Sequence, residues 1–427
     1  MLDIKWLREN PSIAQEALKS RDDGIDLAPL LELERHRREA ITQAESLKSE
    51  QNRLSREIPE LKKKGEPVEE LLSRISEIKG QVEEALNLQK SLDDRFQEMA
   101  LALPNIPHES VPRSLRKEDN QVVKEWGAPP QFSFPMRHHL ELGEILGLFD
   151  FERGSRISGS GFPIYRGPLA RVERALLNFL LDQNSDAGFE VIGLPYLVNR
   201  ETGITSGQLP KFIDQMYHVT EDDLFLIPTA EIALGGFHRN EILQESDLPL
   251  RYTAYTACFR REAGTYGIEE RGLVRTHQFN KVELFSLTSP ESSYEELERL
   301  RRQAETLVEK LGLHYRTTLL VSGDLSQGSS KTYDIEVWLP GQNRYYEVSS
   351  CSNCEAYQAR RGNIRFRRKE GEKPEFVHTL NGSALATSRL MVALLECNQR
   401  EDGGVNLPEA LHGYLGGMKS LEPQLTS

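Results

Sequence analysis

The residues with the clearest chemical potential lie between Thr256 and Phe285, where arginines and carboxylates crowd around one aromatic, Phe279. Guanidinium groups bind phosphate oxygens through paired hydrogen bonds, and an aromatic ring can stack on a base. This combination suits a bent nucleoside triphosphate. A solvated hairpin with a charged outer face is the alternative, although Phe279 then stands among charges rather than on an apolar face.

A second polar pair, Thr229 and Glu231, precedes that stretch. On one side of a strand, or at a strand-to-helix corner, the two side chains can receive an ammonium group. A helix N-cap, with Thr229 capping Ile232, explains the same residues equally well. The two residues alone leave both interpretations open.

The cysteines argue against a zinc site and for a reducing compartment. Cys351 and Cys354 have the spacing of half a zinc site, but Cys258 and Cys397 stand alone and no HxxxH occurs. We therefore predict packed thiols without zinc, in a cytoplasmic protein. The N-terminal MLDIKWLREN lacks the apolar core of a signal peptide, and the apolar runs are too short to span a bilayer.

A β-hairpin must position the charged stretch. Apolar positions alternate through Tyr255, Ala257 and Phe259, as in a strand, and a glycine-rich loop follows. We expect this loop, which contains Gly264, Gly267 and Gly272, to form a mobile tip. The second strand is then expected to carry the following residues on one face: Arg275, His277, Phe279, Lys281 and Glu283.

Heptads predict a long coiled-coil hairpin after a short amphipathic helix over Asp3–Ser20. The turn Lys64–Pro67 separates two helices of about 35 residues, each about 50 Å long, and Pro67 is expected as the first residue of the second. The first helix has apolar series at Leu33, Ala40, Leu47, Leu54 and Leu61, interleaved with Leu30, Arg37, Ala44, Gln51 and Ile58. The second has Leu71, Ile78, Ala85, Leu92 and Met99, interleaved with Ile75, Val82, Gln89, Phe96 and Leu103.

Basic residues on this hairpin are candidates for phosphate contacts. The net charge of −13 argues against nucleic-acid binding by the whole chain, so such binding must come from local patches. Pairing with neighbouring glutamates is the alternative for more than half of them. The candidates are Arg35, Arg37, Arg38, Lys48, Arg53, Arg56, Lys62, Lys63, Lys64, Arg74 and Lys79.

The stretch Phe259–Glu262 resembles the FRxE signature in motif 2 of class II aminoacyl-tRNA synthetases. The run FRREAGTYGIEERGLVRTHQFNKVE is similar to the bacterial-type seryl-tRNA synthetase version of that motif, taken here over about 255–285. Residues 169–196, with a helix, a strand and Pro195, resemble motif 1, and residues 379–397 resemble motif 3. The helical arm, about 27–103, and its exit Pro104–His108 also resemble that family.

The resemblance implies an α+β fold. An N-terminal tRNA-binding domain, 1–107, would carry the antiparallel coiled-coil arm. A class II catalytic domain, 108–427, would follow, built on an antiparallel sheet of six to eight strands flanked by helices.

The same resemblance implies a homodimeric serine–tRNA ligase. Such an enzyme converts L-serine and ATP to seryl-adenylate and pyrophosphate, then transfers serine to the terminal 3′-hydroxyl of tRNA(Ser), and by implication of tRNA(Sec). Two alternatives remain: an amino-acid ligase acting on a carrier protein, and a non-catalytic tRNA-binding paralogue. The long arm disfavours the first, and the presence of Arg260 and Arg389 disfavours the second.

The resemblance also assigns roles. Arg260 and Arg389 would be catalytic, and Glu347 and Ser350 would hold Mg²⁺ with ATP. Serine would be bound by Thr229, Ala230, Glu231, Arg260, Glu283, Asn381 and Ser383. ATP would be bound by Arg260, Arg261, Glu262, Thr276, Phe279, Glu347, Val348, Ser349, Ser350 and Arg389.

Glu283 is predicted to recognise the serine hydroxyl. Alanine and glycine are smaller than serine, so a pocket cannot exclude them by size and must bind the hydroxyl itself. A buried carboxylate can accept that hydrogen bond. The alternative is that Glu283 only pairs with Lys281 or Arg275 on the outside of the sheet.

Overall fold

The computed structural model describes residues 1–262 and 272–424. The predicted hairpin tip with Gly264 and Gly267 lies outside the described residues. One compact unit spans Leu2–Leu103, and a second comprises Met1 and Pro104–Ser427. No helix in the described ranges is both long and apolar enough to cross a bilayer.

The N-terminal unit is helical. Where one helix is predicted over Asp3–Ser20 there are two, because Pro11 lacks the N–H that a continuous helix needs and instead starts the second. The prediction of a single helix is therefore wrong. The helices of this unit are α1 (Ile4–Glu9), α2 (Pro11–Lys19), α3 (Ala28–Lys64) and α4 (Glu69–Ala102).

Helices α3 and α4 pair as the predicted hairpin. The buried residues are those of the heptad seam, among them Leu33, Ala40 and Leu54 on α3 and Ile78 and Val82 on α4. Gly65 ends α3 in the left-handed conformation, with φ 75°. Pro67 does not begin α4, which starts at Glu69. The acidic side chains of the first turn stabilise the helix by their interaction with the positive N-terminal end of its dipole.

Five of the eleven candidate basic residues of the arm make ion pairs, four of them with glutamates, which is fewer than the more than half that the alternative interpretation expects. Arg35 contacts Glu39 at 2.8 Å, and Arg74 contacts Glu50 of the facing helix at 3.0 Å. Arg37 is a seam residue that pairs with Asp93. Within the part of the chain that the structure describes, the other six candidates make no ion pair: Lys48, Arg56, Lys62, Lys63, Lys64 and Lys79.

A largely antiparallel sheet forms the second unit, which confirms the predicted fold class. Among the described residues it has eight strands in the order β1-β11-β12-β13-β16-β10-β9-β4, with β4 parallel to β9. Their bounds are β1 Gln121–Trp126, β4 Glu190–Val191, β9 Leu250–Phe259, β10 Gln278–Thr288, β11 Tyr315–Leu319, β12 Lys331–Leu339, β13 Arg344–Asn353 and β16 His378–Ala386.

Short strands at the periphery complete the unit. They are β2 Phe149–Asp150, β3 Ile164–Tyr165, β5 Leu197–Asn199, β6 His218–Val219, β7 Leu224–Leu226, β8 Ile242–Gln244, β14 Arg365–Arg367, β15 Glu375–Phe376, β17 Val405–Asn406 and β18 Ser420–Leu421.

Helices cover one face of the large sheet. Leu176 and Phe179 of α7 and Leu300 of α10 pack with Ile335 and Val348 of the sheet in one large core. The helices are α5 His139–Leu146, α6 Phe151–Ser158, α7 Pro168–Asp186, α8 Arg200–Ser206, α9 Ala230–Gly236, α10 Ser293–Lys310, α11 Tyr357–Gly362, α12 Thr387–Cys397 and α13 Glu409–His412.

One expectation about the second strand of the hairpin is wrong. Strand β10 begins at Gln278, so Arg275 and His277 precede it and do not share its face. Instead, the backbone N–H of Arg260 donates to the carbonyl of His277, and His277 Nδ1 contacts the carbonyl of Arg260, as the chain enters the strand.

Candidate active site

Two adjoining cavities open on the face of the large sheet. One, of about 350 Å³, is lined by Thr229, Glu231 and Phe212. The other, of about 70 Å³, is lined by Phe279 and Arg389, among others. Because Arg260 and Glu262 line both cavities, a ligand can extend from one into the other.

Glu231 is held in the larger cavity by two amide groups. Its Oε1 accepts a hydrogen bond from Gln358 Nε2 at 2.8 Å and another from Asn381 Nδ2 at 3.1 Å. Burial, and then the nearby Glu283 charge, raise the pKa of Glu231 to about 7. A carboxylate fixed in this way can accept a cationic ligand.

Thr229 is an N-cap, as one of its two interpretations expects, and it also contacts a buried carboxylate of the site. It is the N-cap of α9, where its hydroxyl accepts from the Glu231 N–H at 3.3 Å. The same hydroxyl donates to Glu283 Oε2 at 3.1 Å. Capping therefore orients Thr229 toward the site.

Glu283 lines neither cavity but lies directly behind Thr229 and Lys281, which do, and it forms an ion pair with Lys281. The Glu283 side chain is 2 % exposed and that of Lys281 is 8 % exposed, so the pair is buried, unlike the outside pairing considered as the alternative. Lys281 Nζ also donates to Ser383 Oγ at 3.5 Å. Burial, partly offset by Lys281, raises the pKa of Glu283.

Arg260 follows the last residue of β9 and lies beside the aromatic ring of β10. Its guanidinium carbon is 5.0 Å from the centre of the Phe279 ring, within the range of a cation–π contact. Its Nε donates to the carbonyl of Pro228 at 3.4 Å. Glu262, two residues on, accepts from Arg275 Nη1 at 2.8 Å.

Arg389 lies in the first turn of α12, where the helix N-terminus favours anions. Its Nη1 donates to the carbonyl of Glu347 at 2.9 Å and lies 3.4 Å from Glu347 Oε2. Thr276 lines the same small cavity, and its buried hydroxyl has no hydrogen-bond partner among the described residues. The Arg389 guanidinium and the Thr276 hydroxyl can therefore both contact a phosphate-bearing ligand.

The residues expected to hold Mg²⁺ offer the all-oxygen environment that this cation prefers. A β-bulge brings Glu347 opposite Glu336 and Ser350 opposite Asp334 on the neighbouring strand. Among the described residues, the buried Asp334 Oδ1 has no hydrogen-bond partner. Burial, and then the Glu347 charge, raise the pKa of Asp334, so a cation here would relieve a carboxyl group that is unfavourable to ionise. The residues fit the ion.

Several predicted ligands do not present a side chain to either cavity. The side chains of Ala230 and Val348 are buried in apolar cores, and Ser349 Oγ donates to the Ser383 carbonyl at 2.6 Å. Arg261 is exposed, and its backbone N–H donates to Gln215 O. For Ala230, Val348 and Ser349, only the backbone is left to contact a substrate.

The paired cysteines are buried thiols near Asn381 and Ser349, two of the residues expected to contact substrates. Cys354 Sγ accepts from Asn381 Nδ2 at 3.6 Å, and Ser349 Oγ lies 3.7 Å from Cys351 Sγ. Burial raises the pKa of Cys351 to about 12. Since zinc binds the thiolate, this environment disfavours zinc, and the absence of zinc remains a prediction.

Sequence reasoning assigned no role in the site to three residues: Lys281, Gln358 and Asp334. The alternation along β10 placed Lys281 on the face of Phe279 and Glu283, but only as a partner of Glu283 on the outside of the sheet. Gln358 and Asp334 reach the site from α11 and β12, and no local pattern marks them.

Two family models match the chain. The model of the seryl-tRNA synthetase N-terminal domain matches residues 1–107. The model of the class II tRNA synthetase core domain (G, H, P, S and T) matches residues 215–398, which hold most of the residues described above.

Relatives match over nearly the full length. The serine–tRNA ligase of Nitratidesulfovibrio vulgaris is 49% identical over 99% of this chain and 100% of its own, and that of Caldicellulosiruptor saccharolyticus is 51% identical over 97% and 99%. The crystal structure of seryl-tRNA synthetase from Pyrococcus horikoshii complexed with ATP has a TM-score of 0.93 at 40% identity, covering 100% of both chains. That of the cytoplasmic serine–tRNA ligase of Naegleria fowleri with AMP has a TM-score of 0.87 at 31% identity, covering 100% of this chain and 99% of its own. With such identity over its whole length, the chain belongs to the seryl-tRNA synthetase family.

Proposed function

We propose that this chain is a serine–tRNA ligase that uses ATP to activate L-serine and then transfers it to tRNA(Ser). The observation that carries the proposal is the pair of buried carboxylates, Glu231 and Glu283, beside the arginines of the adjoining cavity. Two carboxylates suit an ammonium and a hydroxyl, and the arginines suit phosphates.

Serine binding would use both carboxylates. Glu231, oriented by Gln358 and Asn381, receives the ammonium group. Glu283 accepts the hydroxyl hydrogen bond, with Thr229 as its neighbour. Before the substrate binds, Lys281 balances the charge of Glu283. Its ammonium group also contacts Ser383, a proposed serine-binding residue, and this contact would keep Lys281 beside the bound amino acid.

Activation is an in-line attack of a serine carboxylate oxygen on the α-phosphorus of ATP, which breaks the bond to the bridging oxygen and releases pyrophosphate. The nucleophile is already an anion, so no general base is needed. The enzyme contributes positioning and neutralisation of charge. Arg260 turns from the Phe279 ring to the α-phosphate and the serine carboxylate, and Lys281 supplies a second positive charge.

The small cavity would hold the rest of the nucleotide. Phe279 stacks on adenine, Glu262 orients its amino group, and Thr276 offers a further polar contact. Arg389 binds the γ-phosphate. Glu347 and Ser350, with Asp334 beside Ser350, would hold Mg²⁺, which neutralises phosphate charge when bound.

Transfer then follows by attack of the terminal 3′-hydroxyl of tRNA on the carbonyl carbon of seryl-adenylate, with AMP as the leaving group. The coiled-coil arm binds the tRNA, and the basic residues that make no ion pair are its phosphate contacts. We further propose tRNA(Sec) as a second substrate, a homodimer built on the motif 1 region, and a cytoplasmic location.

Serine-dependent exchange of pyrophosphate into ATP, measured with and without tRNA, tests the proposal. We expect exchange without tRNA and serylation when tRNA(Ser) is added. Exchange without any serylation would indicate a carrier-protein ligase. Binding of tRNA without exchange would indicate a non-catalytic paralogue.

A further inference from the structure

A buried carboxylate outside the two cavities joins three segments of the second unit, Pro104–Ser427, which we call the catalytic unit. Glu396, in the last turn of α12, is fully buried. Its Oε1 accepts from the backbone N–H of His139 at 3.2 Å and from His139 Nδ1 at 2.9 Å. Its Oε2 accepts from the backbone N–H of Gly341 at 3.1 Å.

His139, at the start of α5, extends this contact to Leu273, in the segment that leads into β10. Because Nδ1 donates to Glu396, Nε2 is the acceptor nitrogen of the neutral ring. That nitrogen lies 3.5 Å from the backbone N–H of Leu273. A Cβ atom on Gly272, whose φ is 87°, would lie 2.4 Å from the same nitrogen, so the chain can pass this close only as glycine.

Each joined segment leads to a residue of the proposed ATP site. Helix α12 carries Arg389 two turns before Glu396. The turn at Gly341 leads into β13, which carries Glu347. The segment at Leu273 leads to Thr276 and then to Phe279 in β10. Neither Glu396 nor His139 lines either substrate cavity.

We propose that the Glu396–His139 pair is a positioning device for the ATP subsite, an inference that rests on the proposed function of the small cavity. It fixes the spacing between Arg389, Glu347 and the residues that follow Leu273. Substrates do not touch it, so it acts only through the backbone segments that it holds.

The same side chains, with His138, are also close enough to hold a metal ion. Three of their four ring nitrogens are already committed, however. His139 uses both ring nitrogens, on Glu396 and Leu273, and His138 Nδ1 accepts from the N–H of Leu140 at 3.3 Å as the N-cap of α5. His138 Nε2, 3.9 Å from Glu396 Oε1, is the one nitrogen left, and one imidazole nitrogen with one carboxylate is too few ligands for a bound metal ion. We therefore assign the cluster to positioning.

Two conservative variants separate the contacts. Glu396→Gln keeps the volume but replaces one acceptor oxygen by an NH₂ group that faces a donor. His139→Asn keeps a donor for Glu396 and loses the acceptor for Leu273. Either change removes about one buried hydrogen bond, so we expect KM for ATP to rise about tenfold in pyrophosphate exchange. KM for serine should change less than about twofold, since the serine contacts are not joined to this pair.

Glu305→Gln is the matched control. Glu305 is equally buried and accepts hydrogen bonds from Thr317 and Lys124, at the side of the sheet formed by β1 and β11. We expect it to lower the urea midpoint and to leave KM for ATP unchanged. If it raises KM for ATP as much as Glu396→Gln does, or if both test variants shift the two KM values equally, the pair is only structural and the proposal is overturned.

Calorimetric titration with ATP alone separates this inference from the proposed function. A parent protein without serine-dependent exchange would refute the function. The inference would still be supported if ATP binds the parent and binds both test variants about tenfold more weakly. ATP binding equal in the parent and both folded variants would overturn the inference alone.

Discussion

Ion pairs have different consequences on the arm and in the catalytic unit, because those on the arm are exposed and the one in the site is buried. On the arm, the side chains of Arg35 and Glu39 are 52% and 59% exposed, and such a pair stabilises a helix by about 0.3–0.5 kcal/mol. In the catalytic unit, Lys281 and Glu283 are almost fully buried, and removing one partner of such a pair costs about 3–5 kcal/mol. Exposed charges of this kind on the arm can therefore be replaced without loss of fold, whereas the buried pair of the site determines its geometry.

Removing the arm gives the largest expected effect. Replacement of residues 30–99 by a short glycine-serine linker should abolish serylation of tRNA and leave serine-dependent pyrophosphate exchange largely intact. The reason is that the site residues described above all belong to the catalytic unit. Equal loss of both activities would show that the arm is needed for the catalytic fold, and the comparison would fail.

Glu283→Ala should reduce exchange with serine and narrow the preference for serine over alanine. An unfilled hydroxyl contact is worth about 2–3 kcal/mol, or about 30- to 150-fold in kcat/KM. Because the substitution leaves Lys281 buried and unpaired, Glu283→Ala/Lys281→Met is the matched variant that removes the stranded charge. A preference for serine that survives in both variants would exclude Glu283 as the hydroxyl acceptor.

Proton binding to Glu231 should oppose serine binding. With its pKa raised to about 7, the side chain gains a proton below that pH and no longer attracts the serine ammonium group. We expect KM for serine to rise by up to about tenfold per pH unit below 7, with KM for ATP unchanged. The Glu231→Gln variant should have a high KM for serine at every pH, without this pH dependence.

The same group should affect stability in the opposite direction. Its folded pKa lies above its ordinary value of 4.5, so the folded protein retains a proton that the unfolded chain loses. Its contribution to stability is therefore fully present below about pH 4.5 and is lost as the pH rises to about 7. Urea unfolding of the parent and of Glu231→Gln between these pH values measures it; parallel curves would contradict the assignment.

The smallest effect is expected for the basic end of α3. Replacing Lys62, Lys63 and Lys64 by glutamine should raise KM for tRNA several-fold and lower its salt dependence by roughly one unit of slope per lost phosphate contact. Exchange and the urea midpoint should not change, since these lysines are exposed. Arg35→Gln, at a residue paired with Glu39, is the control and should affect tRNA binding less.

The arm could be predicted because its pattern is local. Buried Leu33, Ala40 and Leu54 recur every seven residues, and that repeat alone specifies a coiled coil. Ahead of the arm, the helix break at Pro11 was missed, because an amphipathic pattern continues across it.

The site could be predicted only through its motifs. The sequence did not show that Ala230 and Val348 can contact a substrate only through their backbone, because each lies next to polar residues in the sequence while its side chain packs into a core that distant segments complete. Glu231 depends on Gln358 and Asn381, more than a hundred residues away, and no periodicity reports such contacts. The burial of Lys281 was missed for the same reason, since neighbouring strands decide which face of β10 is enclosed.

In the proposed complex, in which adenine stacks on Phe279, the contact of Arg260 with the same ring makes the arginine an internal competitor of the base. A cation–π contact of about 0.5–2 kcal/mol must be broken before a base can take its place on that ring. The ring therefore contributes less to net nucleotide affinity than its stacking energy, because part of that energy only replaces the arginine. Phe279→Leu removes base and competitor contacts together, so its loss of ATP affinity understates how strongly the ring holds the base.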